Sequence, residues 1–117
     1  MEIVIRRRRT RKIRVEDNKV VFKKLKEHVI ELPQEVIEFV KKNIRILQWL
    51  VYDSPISSYL RHPGAVKSLI LLLYSRVSEK PITVVAKEAK TFHEQLYRIE
   101  RRLKELRIEE VYKYLVK

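Results

Sequence analysis

The segment from residue 81 to residue 108 constrains the fold of this chain more than any other part of the sequence, through the spacing of its apolar residues. Pro81 marks the start of a helix, and Ala86 is small enough to lie where two helices nearly touch. Leu96 and Ile99 follow ten and thirteen residues after Ala86, where a second helix would pack back onto the first. The spacing therefore predicts two helices that meet at a sharp corner, although an ordinary helical corner has the same spacing.

The residues on either side of the corner extend the helical pattern. Apolar side chains surround the predicted helix between residues 65 and 77, so we expect neighbours to bury it on several sides. Thr91 and Glu94 fit a capping box, in which the hydroxyl and the carboxylate each bond a free backbone N–H, and predict the start of the next helix. That helix would bury a stripe formed by Leu96, Ile99, Leu103 and Leu106.

The N-terminal third alternates apolar and basic residues in the manner of β-strands. Two such runs, 12–16 and 19–23, flank the turn dipeptide Asp17-Asn18 and predict a tight β-hairpin. With this loop the apolar side chains of the hairpin share one face, because Val15 opposes Val20 and Ile13 opposes Phe22. Further short strands are predicted over residues 2–5 and 28–32.

A long helix is predicted after these strands. Pro33 suits its first turn, Glu35 and Glu38 suit its positive end, and apolar residues recur at three- and four-residue spacing to about Tyr52.

Two breaks then divide the chain, one at residues 53–55 and one at residues 62–64. The predicted parts are residues 1–53, a basic β-hairpin with a long helix, and residues 62–117, a helical module packed with the first part as one unit. The predicted fold class is α+β.

The net charge of +12, from 27 Lys and Arg against 15 Asp and Glu, predicts a partner that carries phosphate, anionic lipid or acidic side chains. Residues 1–26 hold 11 basic and 3 acidic residues, hence +8, and include a run whose like charges repel unless an anion lies between them. A basic arm along a phosphate backbone or in a minor groove fits this run. RNA, anionic lipid and an acidic protein remain alternatives. The run comprises Arg6, Arg7, Arg8, Arg9, Arg11 and Lys12.

The helical module has a buried helix, a short helix after a proline, a sharp turn and a longer basic helix that ends in R-L-K-E-L-R-I at residues 102–108. This order resembles the winged helix-turn-helix family, and the ending is similar to the family's passage from recognition helix to wing. The resemblance covers about residues 65–117, roughly half of the chain. Two positions depart from the family: Lys90 stands in the turn where glycine is usual, and Arg107 replaces the glycine that releases the chain into the wing.

The resemblance implies that the longer helix reads DNA with the face opposite its buried stripe. Arg98 and Arg101 would grip guanine edges or phosphates, and Tyr97 would reach a phosphate or a sugar. Alternatively, these side chains are merely solvated and form the pairs Glu94–Arg98 and Arg101–Glu105. The candidate residues are His93, Gln95, Tyr97, Arg98, Arg101 and Arg102.

The C-terminal residues leave the wing in question. Ile108, Val111, Tyr112 and Leu115 fit helical spacing, and a two-stranded wing does not fit before Lys117. We expect a wingless or single-strand version, or a terminal helix that pairs with a second subunit in a dimer.

Other functions have little support in the sequence. Without cysteine, and with three scattered histidines and one glycine, the chain predicts no metal site, no phosphate-binding glycine loop, no cofactor and no catalysis. The apolar runs are too short for a membrane span, so a cytoplasmic location is expected. Few Asn and Gln with many Lys, Arg, Glu and Ile are typical of a thermophile, archaeal or viral.

We therefore predict a double-stranded DNA-binding protein, a transcriptional regulator or an architectural factor. The alternative is a non-catalytic subunit of a larger assembly that uses residues 66–77 and 108–117 as protein interfaces.

Overall fold

The hairpin predicted around Asp17 and Asn18 opens the part of the chain that the structure, a computed structural model, describes, which is residues 12–117. Strand β1 (Arg14–Glu16) pairs antiparallel with β2 (Lys19–Lys24) in the predicted register, with Val15 opposite Val20. The predicted strand at 2–5 and the residues Arg6, Arg7, Arg8, Arg9 and Arg11 lie outside the described residues.

A second hairpin adds strand β3 (Lys26–Glu31), which gives a three-stranded antiparallel sheet in the order β1-β2-β3. The pairing of Lys24 with Lys26 leaves Leu25 alone as the turn, so β3 begins two residues earlier than predicted. One face of the sheet carries Val20, Phe22 and Ile30 into the core.

The prediction of one continuous helix after Pro33 is wrong. The helix is interrupted at Asn43 and forms α1 (Gln34–Lys42) and α2 (Ile44–Tyr52). The buried Asn43 side chain donates to the carbonyl oxygens of Phe39 at 2.9 Å and Val116 at 2.7 Å, and accepts from the Val116 N–H at 2.7 Å. Asn43, at the break, is thus hydrogen-bonded to the backbone of Val116. These bonds satisfy the buried side-chain amide of Asn43, which would be costly to bury without partners.

Turns over residues 54–60 connect α2 to the helical module. Ser54 holds the first turn: its hydroxyl donates to the Leu50 carbonyl at 2.7 Å and accepts from the Ile56 N–H at 3.3 Å. The helices that follow are α3 (Pro63–Ser78), α4 (Ile82–Glu88) and α5 (His93–Glu105).

Helix α3 is the centre of the fold. Helices α1, α4 and α5, strand β3 and the C-terminal 3₁₀ helix (Glu109–Tyr114) all pack against it. Its residues from Leu69 to Leu73 are fully buried, as the all-round apolar pattern predicts. A single hydrophobic cluster joins the two predicted parts of the chain, from Phe22 and Ile37 to Leu96. The fold is α+β, as predicted.

The C-terminal residues turn back onto the molecule. Ile108 and Val111 are buried, and the chain from residue 109 to residue 114 is a 3₁₀ helix, so no wing strand follows α5 within the described chain. In residues 12–117 no helix has the length and apolar character needed to cross a membrane.

Candidate nucleic-acid interface

The corner between α4 and α5 is tight because α4 ends in a left-handed turn. Lys90 has a φ of 56°, the Thr91 N–H donates to the Ala86 carbonyl at 2.8 Å, and the Lys90 N–H donates to that of Lys87 at 3.1 Å. These two bonds form a Schellman motif, whose left-handed position glycine usually occupies. Ala86, where we expect the two helices to approach closely, is buried, with only 1% exposed.

Helix α5 ends in the same way. Arg107 has a φ of 57°, and the N–H groups of Ile108 and Arg107 donate to the carbonyls of Leu103 and Lys104, each at 3.1 Å. This second Schellman motif directs Ile108 into the core, where it is 5% exposed. The left-handed turn at Arg107 therefore directs the chain back towards α3.

The capping box predicted at Thr91 is wrong. The N-cap of α5 is Phe92, without a side-chain cap hydrogen bond, and the Thr91 hydroxyl donates instead to the Ala89 carbonyl at 3.4 Å. The reason is the turn that precedes α5. Because the Thr91 N–H is bonded to the end of α4, the N-cap moves by one residue to Phe92 and α5 begins at His93. Phe92 is consequently 75% exposed at the start of α5, which the sequence pattern did not indicate.

Helix α5 divides into an apolar and a basic side, as its spacing predicts. Leu96, Ile99 and Leu103 are buried, and Leu106 is half-buried. All six candidate residues are exposed: His93, Gln95, Tyr97, Arg98, Arg101 and Arg102. Gln95 is less available than the others because its side-chain amide contacts the Ser68 hydroxyl of α3 at 3.2 Å. We call His93, Tyr97, Arg98, Arg101 and Arg102 the α5 basic face.

Neither ion pair of the solvated-helix alternative forms. Glu94 lies 3.5 Å from the His93 ring nitrogen, and Glu105 pairs with Arg102 at 3.1 Å. Among the described residues Arg98 and Arg101 make no ion pair or hydrogen bond. Two adjacent guanidinium groups on one helix face therefore keep all their donors free for a ligand.

The remaining acid of α5 points the other way. Glu100 forms an ion pair with Arg76 of α3, and its side chain is only 14% exposed. Tyr112 of the 3₁₀ helix lies against the same arginine, and burial raises the pKa of its hydroxyl. Because this carboxylate is neutralised on the inner side of α5, it does little to offset the positive charge of the outer side.

Tyr59, in the turns before α3, packs against Arg102 of the α5 basic face. The guanidinium carbon of Arg102 lies 5.1 Å from the centre of the Tyr59 ring, a cation–π distance. A cavity of about 360 Å³ is lined by Tyr59, by the three arginines Arg98, Arg101 and Arg102, and by Glu105. Arg98 also lines a second cavity, of about 290 Å³, beside His62 and Gly64 at the N-terminus of α3. A helix N-terminus and a guanidinium together favour an anion there.

Lys24, at the end of β2, reaches the same turns. Its ammonium donates to the Ser57 carbonyl at 2.6 Å and lies 5.9 Å from the centre of the Tyr52 ring. Burial, together with the positive charge of Arg61, lowers the pKa of Lys24 from 10.5 to about 8. Lys24, Tyr59 and Arg61 are residues that sequence reasoning did not connect with α5, because no local pattern links them.

Lys12 is exposed just before β1, and no contact within residues 12–117 joins it to α5. The structure thus brings the α5 candidates together and leaves Lys12 apart from them.

Comparisons of the chain with protein-family models, with curated proteins and with solved structures found no significant match.

Proposed function

We propose that this protein binds double-stranded DNA through the α5 basic face and acts as a transcriptional regulator or an architectural factor. The observation that carries the proposal is the pair Arg98 and Arg101, both exposed on one helix face and free of partners among the described residues. An α-helix fits the major groove of B-DNA, and arginine is the side chain that most often reads guanine there.

The neighbouring side chains support the same assignment. Tyr97 and His93 stack edge-on with ring centres 6.0 Å apart, so they present a firm polar edge to sugars and phosphates. Phe92 offers an apolar contact of the kind that thymine methyl groups take in the major groove. Arg102 is held by Glu105 and Tyr59, which suits a phosphate contact of fixed direction.

The basic run Arg6, Arg7, Arg8, Arg9 and Arg11 lies outside the described residues and remains a sequence-based prediction of a second phosphate contact. RNA is the closest rival ligand, since phosphate attraction does not separate the two nucleic acids. A homodimer likewise remains a prediction.

The alternative of an assembly subunit that uses residues 66–77 and 108–117 as protein interfaces stays a prediction. From Leu69 to Leu73 helix α3 is covered by its own chain, and so are Ile108 and Val111 of the C-terminal segment. An interface there would have to use the outer side of the 3₁₀ helix, where Tyr114 is 47% exposed.

The test is fluorescence anisotropy with a labelled duplex of about 25 base pairs at several salt concentrations, compared with single-stranded DNA and duplex RNA. We expect the Arg98→Ala/Arg101→Ala variant to raise the Kd about 10- to 100-fold, and the slope of log K against log salt to become shallower by about 2. A variant with alanine at residues 6–9 should also weaken binding and reduce the slope, by up to about 4.

The matched control is Lys41→Ala/Arg45→Ala, which removes the same charge from α1 and α2. It should leave the Kd within about threefold of the wild type. Wild-type Kd and salt slope in the α5 variant would overturn the assignment of α5, and no duplex binding at low salt would overturn the proposal. Molecular mass in solution, by light scattering, tests the dimer separately.

A further inference from the structure

The turn between β2 and β3 carries an apolar side chain in an unusual place. Leu25 is 105% exposed, more than any other large apolar residue of the described chain, and its φ is 67°. A γ-branched side chain in the left-handed region is strained, and here it buries nothing in return. Lysines flank it on both sides, at positions 24 and 26. Folding alone does not explain a leucine at this position.

The β2–β3 turn and the α5 basic face both contact the segment before α3. Lys24 donates to the carbonyl of Ser57, and Tyr59, two residues later, lies under Arg102. Two residues span at most about 7 Å, so the Lys24 ammonium and the Arg102 guanidinium are within roughly 20 Å of each other. Arg61 is exposed, and its charge acts on Lys24. The turn that holds Leu25 and the α5 basic face thus both contact the segment before α3.

This upper limit on the distance allows the turn and α5 to reach adjacent grooves of one duplex. One helical turn of B-DNA is about 34 Å, so the minor groove next to an occupied major groove is about 17 Å away. The described chain has no wing after α5 that would reach this neighbouring groove. The β2–β3 turn is tied to the segment before α3 by Lys24, and the exposed Lys26 suits a phosphate that borders a minor groove.

We infer that Leu25 is a wedge that the β2–β3 turn inserts between base pairs from the minor groove, while α5 occupies the adjacent major groove. Proteins that bend DNA insert single apolar side chains in this way and unstack one base step. The strained backbone holds the side chain outwards before binding, so little freedom is lost when the wedge enters. The inference rests on the proposed function, since it takes duplex DNA as the ligand of α5.

Duplex DNA is favoured over an anionic membrane because the exposed apolar area at the turn is a single side chain. Stable membrane attachment needs a larger apolar surface, usually a whole helix face or a lipid chain. On β3 the next exposed apolar residue is Val29, four positions away and 52% exposed. A wedge needs one apolar side chain with a cation beside it, and here Leu25 is followed by the exposed Lys26.

The experiment measures DNA bending by energy transfer between dyes at the ends of a duplex of about 30 base pairs, with binding followed by anisotropy. The variants are Leu25→Asn, which introduces a polar residue that tolerates the left-handed region, and Leu25→Met, which keeps an apolar side chain of similar size. Val29→Ser is the matched control on the same hairpin. Thermal unfolding verifies that all variants fold.

We expect the wild type to bend the duplex by about 20 to 90°. Leu25→Asn should abolish most of the bend and raise the Kd about three- to tenfold with an unchanged salt slope, because no charge is lost. Leu25→Met and Val29→Ser should bend DNA like the wild type. Arg98→Ala/Arg101→Ala should need more protein but reach the same bend at saturation.

A bend that survives in Leu25→Asn, with duplex binding intact, would overturn the wedge and leave the proposed function standing. Absence of wild-type duplex binding would overturn both. Vesicles with about 30% anionic lipid provide the last comparison. If Leu25→Asn weakened binding to these vesicles but left binding to duplex DNA unchanged, the turn would be assigned to a membrane instead.

Discussion

Helices α3 and α5 pack against each other, and they differ in which part of their surface is committed to the fold. Helix α3 is buried almost all round, and its two buried serines are satisfied within the fold: Ser68 donates to Gly64 at 2.9 Å and Ser75 to Lys80 at 2.6 Å. Helix α5 buries one stripe and leaves a basic face free. We therefore expect substitutions in α3 to change the stability of the fold, and substitutions on the outer face of α5 to change binding of the proposed DNA ligand.

The largest effect should come from α3. Leu72→Ala removes a fully buried side chain from the centre of the cluster, and we expect it to lower the free energy of unfolding by about 3 kcal/mol. Chemical denaturation followed by circular dichroism measures this loss. The folded fraction should still bind duplex DNA with wild-type Kd, and a change in Kd as large as that in stability would break the separation between the two helices.

The outer face of α5 should behave in the opposite way. Arg98→Ala/Arg101→Ala should change the free energy of unfolding by less than about 0.5 kcal/mol, because neither arginine has a partner among the described residues. Its binding free energy should fall by about 2 kcal/mol, since each lost nucleic-acid contact costs about 1 kcal/mol or more. Denaturation and anisotropy on the same samples give both values. A marked loss of stability would show that these arginines support the fold.

Lys24 contacts the turns before α3, and its titration tests the stability side of the comparison. With a pKa lowered from 10.5 to about 8 in the folded protein, the unfolded chain binds more protons between these values. The free energy of unfolding therefore rises with pH from 8 to 10.5. Below pH 8 the ammonium is fully charged in the folded protein, and its burial lowers the free energy of unfolding by the full amount. Relative to Lys24→Met, the wild type should gain about 1 to 2 kcal/mol across this range, after allowance for solvent screening. Denaturation of both proteins at pH 7, 9 and 10.5 measures the difference, which should be constant if the ammonium is well solvated.

The smallest effect concerns the turn that joins α4 to α5. Lys90 adopts a φ of 56°, so Lys90→Gly relieves a strained backbone and should raise the free energy of unfolding by about 0.5 to 1 kcal/mol. Lys87→Gly, inside α4, is the control and should lower stability by a similar amount because its φ is helical. Thermal unfolding resolves both changes. A loss of stability in Lys90→Gly would show that the lysine side chain stabilises the corner.

Some features followed from short-range chemistry and were predictable. The hairpin at Asp17 and Asn18, the buried stripe of α5 and the turn at Lys90 each depend on residues a few positions apart. The capping box was wrong for a related reason, because two local motifs competed for Thr91. The Schellman turn of α4 uses its backbone N–H, and the sequence pattern does not indicate which of the two motifs prevails.

Other features depend on partners far along the chain. The break at Asn43 is bonded to Val116, 73 residues away, so helical periodicity alone predicted one continuous helix. The placement of the turn at Leu25 likewise depends on a distant contact. Lys24 reaches Ser57, 33 residues further on, and this contact brings the turn towards Tyr59 and Arg102.

The sequence by itself determined the fold class, the helix corner and the amphipathic character of α5, because hydrogen bonding and apolar periodicity act between residues a few positions apart. Only the tertiary structure decided which charges became free for a ligand. It paired Glu100 inwards with Arg76 and left Arg98 and Arg101 open beside Tyr59. The physical reason is that burial and ion pairing depend on distance in space, which packing around α3 sets for residues far apart in the chain.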